Sequence, residues 1–243
     1  MFASNEIENF LAGSEIGQSV FELQPDYRCL LVVITNVEGG ASDGASEKLL
    51  QQAESKARDY LRDVDVEELP HIAAWRRAFQ AFGAKPQRTR NSAEALLRRA
   101  VDGLPRVNRI TDVYNAISVA HQIPIGGEDL ARYQGSPRLI RSTGLEPFDT
   151  VADGSPIMEN PEIGEVIWTD SIGVTCRRWN WRQGSRTRIT ETTTDVLFIL
   201  DALNPITDKQ LLSIGDELVS AISKNSSESR SFRRLLSAQD IGG

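Results

Sequence analysis

Apolar residues recur along this chain with two different periods, and the change between them divides it. Residues 28–37 are built around an unbroken apolar run, CLLVVI at 29–34, whose β-branched content predicts a buried strand. A polar loop, GGASDG at 39–44, separates it from residues 45–64, where Leu49, Leu50, Ala53, Ala57 and Leu61 keep the spacing of one helix face. A second helix is predicted over 71–82, because Gly83 ends it and Pro86 cannot continue it. A third runs from Asn91, with Glu94 in a capping-box relation, to about residue 101. In a fourth, Ile110, Val113, Ile117 and Ala120 share one face while Asp112 and Asn115 fall on another flank. From residue 138 the period shortens, and RLIRS, EVIWTD, IGVTCRRW, TRIT and DVLFIL predict strands separated by polar or glycine turns. A last helix is predicted over 205–223. Residues 1–26 read as a short polar helix and loop, and 224–243 as a polar tail that frays.

Strand, several helices, several strands and a final helix predict a single mixed α+β domain over 1–223, with a multi-stranded, largely antiparallel sheet flanked by helices, and not a doubly wound sheet. The 40% hydrophobic content of the 243 residues is enough for one core and argues against disorder. No basic segment followed by an apolar stretch opens the chain, and the run at 29–34 is too short to cross a bilayer, so the expectation is a cytoplasmic protein without a membrane partner. Cys29 and Cys176 are the two cysteines; they are expected to be reduced and buried, and no metal site or cofactor motif is indicated. The net charge of −7 opposes polyanion binding, but it is unevenly spread. Residues 75–109 hold nine basic side chains against two acidic ones, and 176–190 hold five arginines and no acid. Such a split suits contact with a few phosphates at one end of an RNA. It equally suits solvated arginines paired with an acidic surface.

Three segments carry candidate chemistry. Gly40-Ala-Ser42-Asp-Gly44 matches the nucleophile pattern G-x-S-x-G between a strand and a helix. An elbow serine needs a histidine from later in the chain, and the only two, His71 and His121, fall early and read as helix-end residues, so the loop is expected to be a plain connection. The second segment is RVNRITDVYNAISVAHQIPIGGED at 106–129. There a polar-flanked helix meets a turn in which Gly126 and Gly127 let backbone amides approach a ligand; the same residues also suit a capped helix and an ordinary loop. The third is TCRRWNWRQG at 175–184. On a strand it would put Arg178, Asn180 and Arg182 on one face, with Arg177, Trp179 and Trp181 on the other. Arginine beside tryptophan can hold a phosphate and stack a base, or can simply cover a packed aromatic edge.

Two of these segments resemble a known family. Asn108, Arg109, Asp112 and Asn115, followed by Pro124 and Asp129, together with VIWTDSIGVTCRRWNWRQG at 166–184 and TTDVLFILDAL at 193–203, resemble the editing, or tRNA-binding, domain of the phenylalanyl-tRNA synthetase beta subunit. The likeness covers about 65–223, with 1–64 as an N-terminal strand-loop-helix extension, and no aminoacylation module is visible, so the chain looks like a freestanding copy. The resemblance implies that domain's fold and hydrolysis of mischarged aminoacyl-tRNA in trans, with the tRNA 3′ end as partner, no DNA and no cofactor. Asn115 falls on the family's substrate-contacting asparagine. Tyr114 stands where bacterial synthetases have a small hydroxyl residue, Gly126 where they have a histidine and Gln183 where they have a glutamate. The implied roles are orientation by Asn115 and water placement by Gln183 or Glu191. Pro124, Gly126, Gly127 and Asp129 would bound the amino-acid pocket, which Tyr114 would reshape, Arg178 and Arg182 would hold the terminal nucleotide, and Asn108, Asp112, Asn180 and Thr192 would complete the substrate-binding set. Loss of the histidine and glutamate also suits a module that binds tRNA ends, an amino acid or a nucleotide without turnover. Which amino acid and tRNA are taken, and the oligomeric state, stay open.

Overall fold

A computed structural model describes residues 2–240. In chain order its elements are α1 (Ser4–Ala12), β1 (Glu15–Ile16), α2 (Gln18–Leu23), β2 (Arg28–Thr35), α3 (Gly44–Tyr60), α4 (Pro70–Ala81), α5 (Ser92–Ala100), α6 (Arg109–His121), β3 (Ile125–Asp129), β4 (Arg138–Arg141), β5 (Phe148–Ala152), β6 (Ser155–Glu159), β7 (Val166–Thr169), β8 (Val174–Arg177), β9 (Arg182–Gln183), β10 (Val196–Ala202), α7 (Asp208–Ser223) and β11 (Arg230–Leu236). The architecture is α+β and rich in antiparallel pairing, as the residue pattern predicts.

An antiparallel sheet in the order β11-β2-β10-β3 forms the frame. β2 and β10 pair from Ile34–Val196 to Arg28–Ala202, and their continuous apolar character follows from burial on both faces. Strand alternation sends Leu31, Val33, Leu197 and Ile199 against Trp75, Phe79, Trp168 and Trp179. The other face sends Leu30, Val32, Phe198 and Leu200 against Ile110 and Ile117 of α6 and Leu211 and Leu218 of α7. Each such large aliphatic side chain contributes roughly 1.5–3 kcal/mol by leaving water. A third cluster, Leu50, Ala53, Leu97, Ala100 and Val119, ties α3 and α5 to α6. The second sheet runs β1-β4-β7-β8-β9, and β5 and β6 form a separate hairpin.

Helix starts follow their side-chain caps. Asp43 accepts from Ala45 N (2.8 Å) and Ser46 N (2.7 Å) at α3; Asn91 accepts from Glu94 N (2.9 Å) at α5 and Asn108 from Thr111 N (2.9 Å) at α6. Glu94 does not complete a capping box. Its carboxylate instead binds Arg76 (2.7 Å) and Arg98 (3.1 Å) and so links α4 to α5.

Five further expectations are corrected. Residues 230–236 are not a fraying tail: β11 pairs with β2 along its length, and its arginines suit a sheet edge, where charge discourages further pairing. Residues 1–26 hold two helices, anchored by buried Ile7, Leu11, Val20 and Phe21. Gly126 and Gly127 lie in strand β3, opposite Ile199 and Phe198, and not in a turn. The stretch at 175–184 is not one strand. Arg178 and Trp179 both take left-handed backbone angles, φ 47° and 68°, and turn the chain between β8 and β9. TRIT makes only an isolated bridge between Arg188 and Glu128.

Candidate functional site

A cavity of about 510 Å³ opens where α5 and α6 meet both sheets. The cap at Asn108 sets where α6 begins, and this puts Tyr114 and Asn115 on the cavity wall. Beside them β3 contributes Gly126, Gly127 and Glu128. A Cβ on Gly127 would stand 2.7 Å from Cε1 of Tyr114 and 2.8 Å from Cδ1 of Ile189, so glycine there lets the tyrosine ring lie flat against the strand. The turn after β8 supplies Asn180 and Trp181, β9 supplies Gln183, and β10 supplies Asp201. On the open side lie four exposed arginines, Arg88, Arg90, Arg98 and Arg99.

Charge is sorted by depth. Glu128 is buried, and burial pushes its carboxyl up to about 7, although the Tyr133 hydroxyl donates to it and the hydroxyls of Thr175 and Thr187 oppose the rise. Asp201 is also pushed up to about 7 by burial, against hydrogen bonds from Tyr27 Oη (2.6 Å) and Asn180 Nδ2 (3.0 Å). Both bonds are spent on Asp201, and each of its oxygens is occupied. Gln183 Nε2 donates to the carbonyls of Gly127 (3.0 Å) and Thr187 (3.1 Å), which leaves its own carbonyl oxygen as the group it can offer a ligand. Asn180 Oδ1, Trp168 Nε1 and Ser92 Oγ belong to residues of the same cavity wall and are buried without a partner, a costly state. Burial raises the Cys176 thiol well above its ordinary value, so it is not a nucleophile poised at neutral pH.

The structure brings six of the fourteen predicted residues together in this cavity: Asn115, Gln183, Tyr114, Gly126, Gly127 and Asn180. The rest lie elsewhere. Asp112 is buried and holds Val107 N (2.8 Å) and Ser46 Oγ (3.3 Å), a clamp between α6 and α3. Asn108 is the helix cap. Pro124 offers its carbonyl to Asp201 N (3.1 Å) just before β3 begins. Asp129 binds Ala131 N (3.0 Å) and Thr193 Oγ1 (2.9 Å). Glu191 and Thr192 sit on an exposed loop outside the cavity wall. Arg178 faces a neighbouring cavity, and Arg182 reaches Val151 O (3.3 Å) beside the Phe148 ring.

Glu128 and Asp201 were absent from the sequence reading. Asp201 carried a signal, a carboxylate inside the apolar run VLFILDA, and Glu128 follows directly on the glycine pair. His71 does stand in the first turn of α4, but it is buried and bonds distant backbone instead of capping the helix. Leu203 N donates to its Nε2 (3.1 Å), its Nδ1–H therefore donates to Gln122 O (2.8 Å), and burial holds it neutral with a pKa lowered to about 4. Cys29 is buried and Cys176 half-buried, and both are free. Among the described residues no group of three His, Cys, Asp or Glu side chains is arranged to hold a metal ion, and no helix is long and apolar enough to cross a membrane.

These elements define an α+β module with a deep cavity between its helices and sheets. The family model described as the B3/4 domain matches residues 74–228, so the chain belongs to the B3/4 domain family, that of the phenylalanyl-tRNA synthetase beta subunit. Among solved structures it is similar to "an N-terminal fragment of the phenylalanyl-tRNA synthetase beta-subunit from Pyrococcus horikoshii", at 10% identity and a TM-score of 0.46, over 91% of this chain and 53% of that one. The chain thus spans about half the length of that structure. No curated protein matches.

Proposed function

We propose that this chain hydrolyses the ester of a mischarged aminoacyl-tRNA. The observation that carries the reading is the sorting of charge in the cavity: buried carboxyls inside and exposed arginines at the opening. An aminoacyl-nucleotide has the matching polarity, an α-ammonium at one end and phosphate at the other. A water held between Glu128 and the Gln183 carbonyl oxygen attacks the ester carbonyl. The Glu128 carboxylate takes the water's proton, and the Asn115 amide donates to the developing oxyanion. Collapse of the tetrahedral intermediate breaks the bond to the ribose oxygen, which is protonated as the free amino acid leaves. No covalent enzyme intermediate is needed. Glu128 takes the place given to Glu191 in the sequence reading.

Tyr114 makes an edge-to-face contact with Phe198 at 5.9 Å and covers Gly127, which shortens the amino-acid end of the cavity. A side chain smaller than tyrosine is the expected substrate. The test is a panel of correctly and incorrectly charged aminoacyl-tRNAs, with loss of the amino acid followed over time. Asn115→Ala should lower the rate about 100-fold with the fold intact by circular dichroism; an unchanged rate removes Asn115 from the site. Gly126 and Gln183 favour a second reading, a binding module without turnover, because neither is a side chain that moves protons. Absence of hydrolysis across the panel would favour it.

A further inference from the structure

A second cavity, of about 350 Å³, adjoins the first and carries Lys85, Arg88, Thr89 and Arg178 on its wall. Arg88 lines both spaces, so they meet at one residue. A second connection is the Arg178–Trp181 pair. The guanidinium lies 4.8 Å over the indole ring, with Trp181 on the wall of the first cavity and Arg178 on the wall of the second. Thr89 Oγ1 accepts from Arg178 Nη1, which fixes the stack from the far side.

The second cavity also contains Glu162 and Glu165. Glu165 is committed to Arg177, which binds its two oxygens at 2.9 and 2.8 Å. The Glu162 side chain is 81% exposed and stands 3.5 Å from Arg178, a weak solvent-screened pair. Lys85 and Arg88 therefore face a space in which Arg178 stands 3.5 Å from both Glu162 and Glu165, Glu165 is already neutralised by Arg177, and Glu162 is in water. A single strand of nucleic acid is bound by this combination: cations that follow its phosphates and an aromatic surface on which a base can lie.

We propose that the second cavity holds the 5′-phosphate of the penultimate nucleotide, one step back from the phosphate that the mouth of the first cavity meets, so that Arg88 sits between successive nucleotides of one RNA strand threading both cavities. The proposal rests on the reading of the first cavity as the aminoacyl-nucleotide site. It assigns the second cavity to polymer recognition, apart from the hydrolytic step.

Lys85 is exposed and lines only the second cavity, so its charge can be reversed without touching the first. The test measures binding of adenosine 5′-monophosphate, CpA and CpCpA to wild type and Lys85→Glu by fluorescence competition at several salt concentrations, with inorganic phosphate as a control. Wild type should bind the oligonucleotides more tightly than the mononucleotide. Lys85→Glu should weaken CpCpA about fivefold or more, flatten its salt slope by about one unit, and leave adenosine 5′-monophosphate unchanged. Equal affinity for all three nucleotides, equal losses for all three, or saturation by inorganic phosphate with no gain from added nucleotides would each overturn the proposal. Aminoacyl-tRNA hydrolysis is scored separately, so a protein that deacylates tRNA but shows no gain from CpCpA keeps its function and loses only the second site.

Discussion

The floor and the mouth of the main cavity differ in both charge and hydration. At the floor, Glu128 and Asp201 are each 2% exposed and each is pushed up to about 7 by burial. At the mouth, Arg88, Arg90, Arg98 and Arg99 are exposed to solvent. The contrast teaches that the two ends act by different physics. Buried carboxyls interact through a poorly polarisable interior and respond to pH, whereas surface guanidiniums act through a screened field and respond to salt.

The floor carries the largest expected effect. Glu128→Gln keeps size and polarity but cannot take a proton, and should lower the deacylation rate about 100-fold or more, with CpCpA binding unchanged. A rate within about twofold of wild type would make Glu128 structural and leave Gln183 as the water-positioning group.

Stability should follow the floor next. For Glu128 the folded value of about 7 lies above the ordinary 4.5, and for Asp201 above the ordinary 3.8. Between those limits the folded chain holds protons that the unfolded chain has released. Their contribution is full below the unfolded values and is lost as pH rises through about 7. His71, lowered to about 4 from 6.5, acts in the opposite sense and removes stability as pH falls through that window. The Tm of Glu128→Gln should therefore drop less than that of wild type between about pH 5 and about pH 8, measured by scanning calorimetry. Parallel curves would show that Glu128 keeps an ordinary pKa.

The smallest effect belongs to the mouth. Arg99→Ala should weaken CpCpA about threefold at low salt, with the difference vanishing at high salt and Tm unchanged. A loss that persists at high salt would mean that Arg99 makes a desolvated contact.

How much of this was legible in the residues depended on whether neighbours in sequence or distant partners decided the outcome. β2, β10 and the cap at Asn91 are local signals and appear where their patterns put them, whereas Asn108 caps α6 and not the ligand pocket to which the resemblance assigned it. Asn115 and Gln183 were reached through the family resemblance, and both line the cavity. Gly126 and Gly127 read as a turn because nothing local reveals that they pair in a strand, where Tyr114 and Ile189 occupy the space of the Cβ missing at Gly127. β11 read as a tail because an edge strand need present only one covered face, and three of the seven residues of RSFRRLL are arginines. Glu128 escaped notice because a carboxylate beside a glycine pair suggests solvent, and only the fold encloses it.

The consecutive left-handed residues Arg178 and Trp179 set a limit on how this module can be improved. Each costs about 1–2 kcal/mol relative to glycine at the same angles. Stability-guided redesign would select Gly or Asn at 178 and gain a more robust scaffold. The same change would take away the cation that lies over Trp181 and reaches Thr89. Ranking variants by thermal tolerance would thus discard the residue that joins the two cavities, so engineering of this fold needs a ligand-binding screen alongside the stability screen.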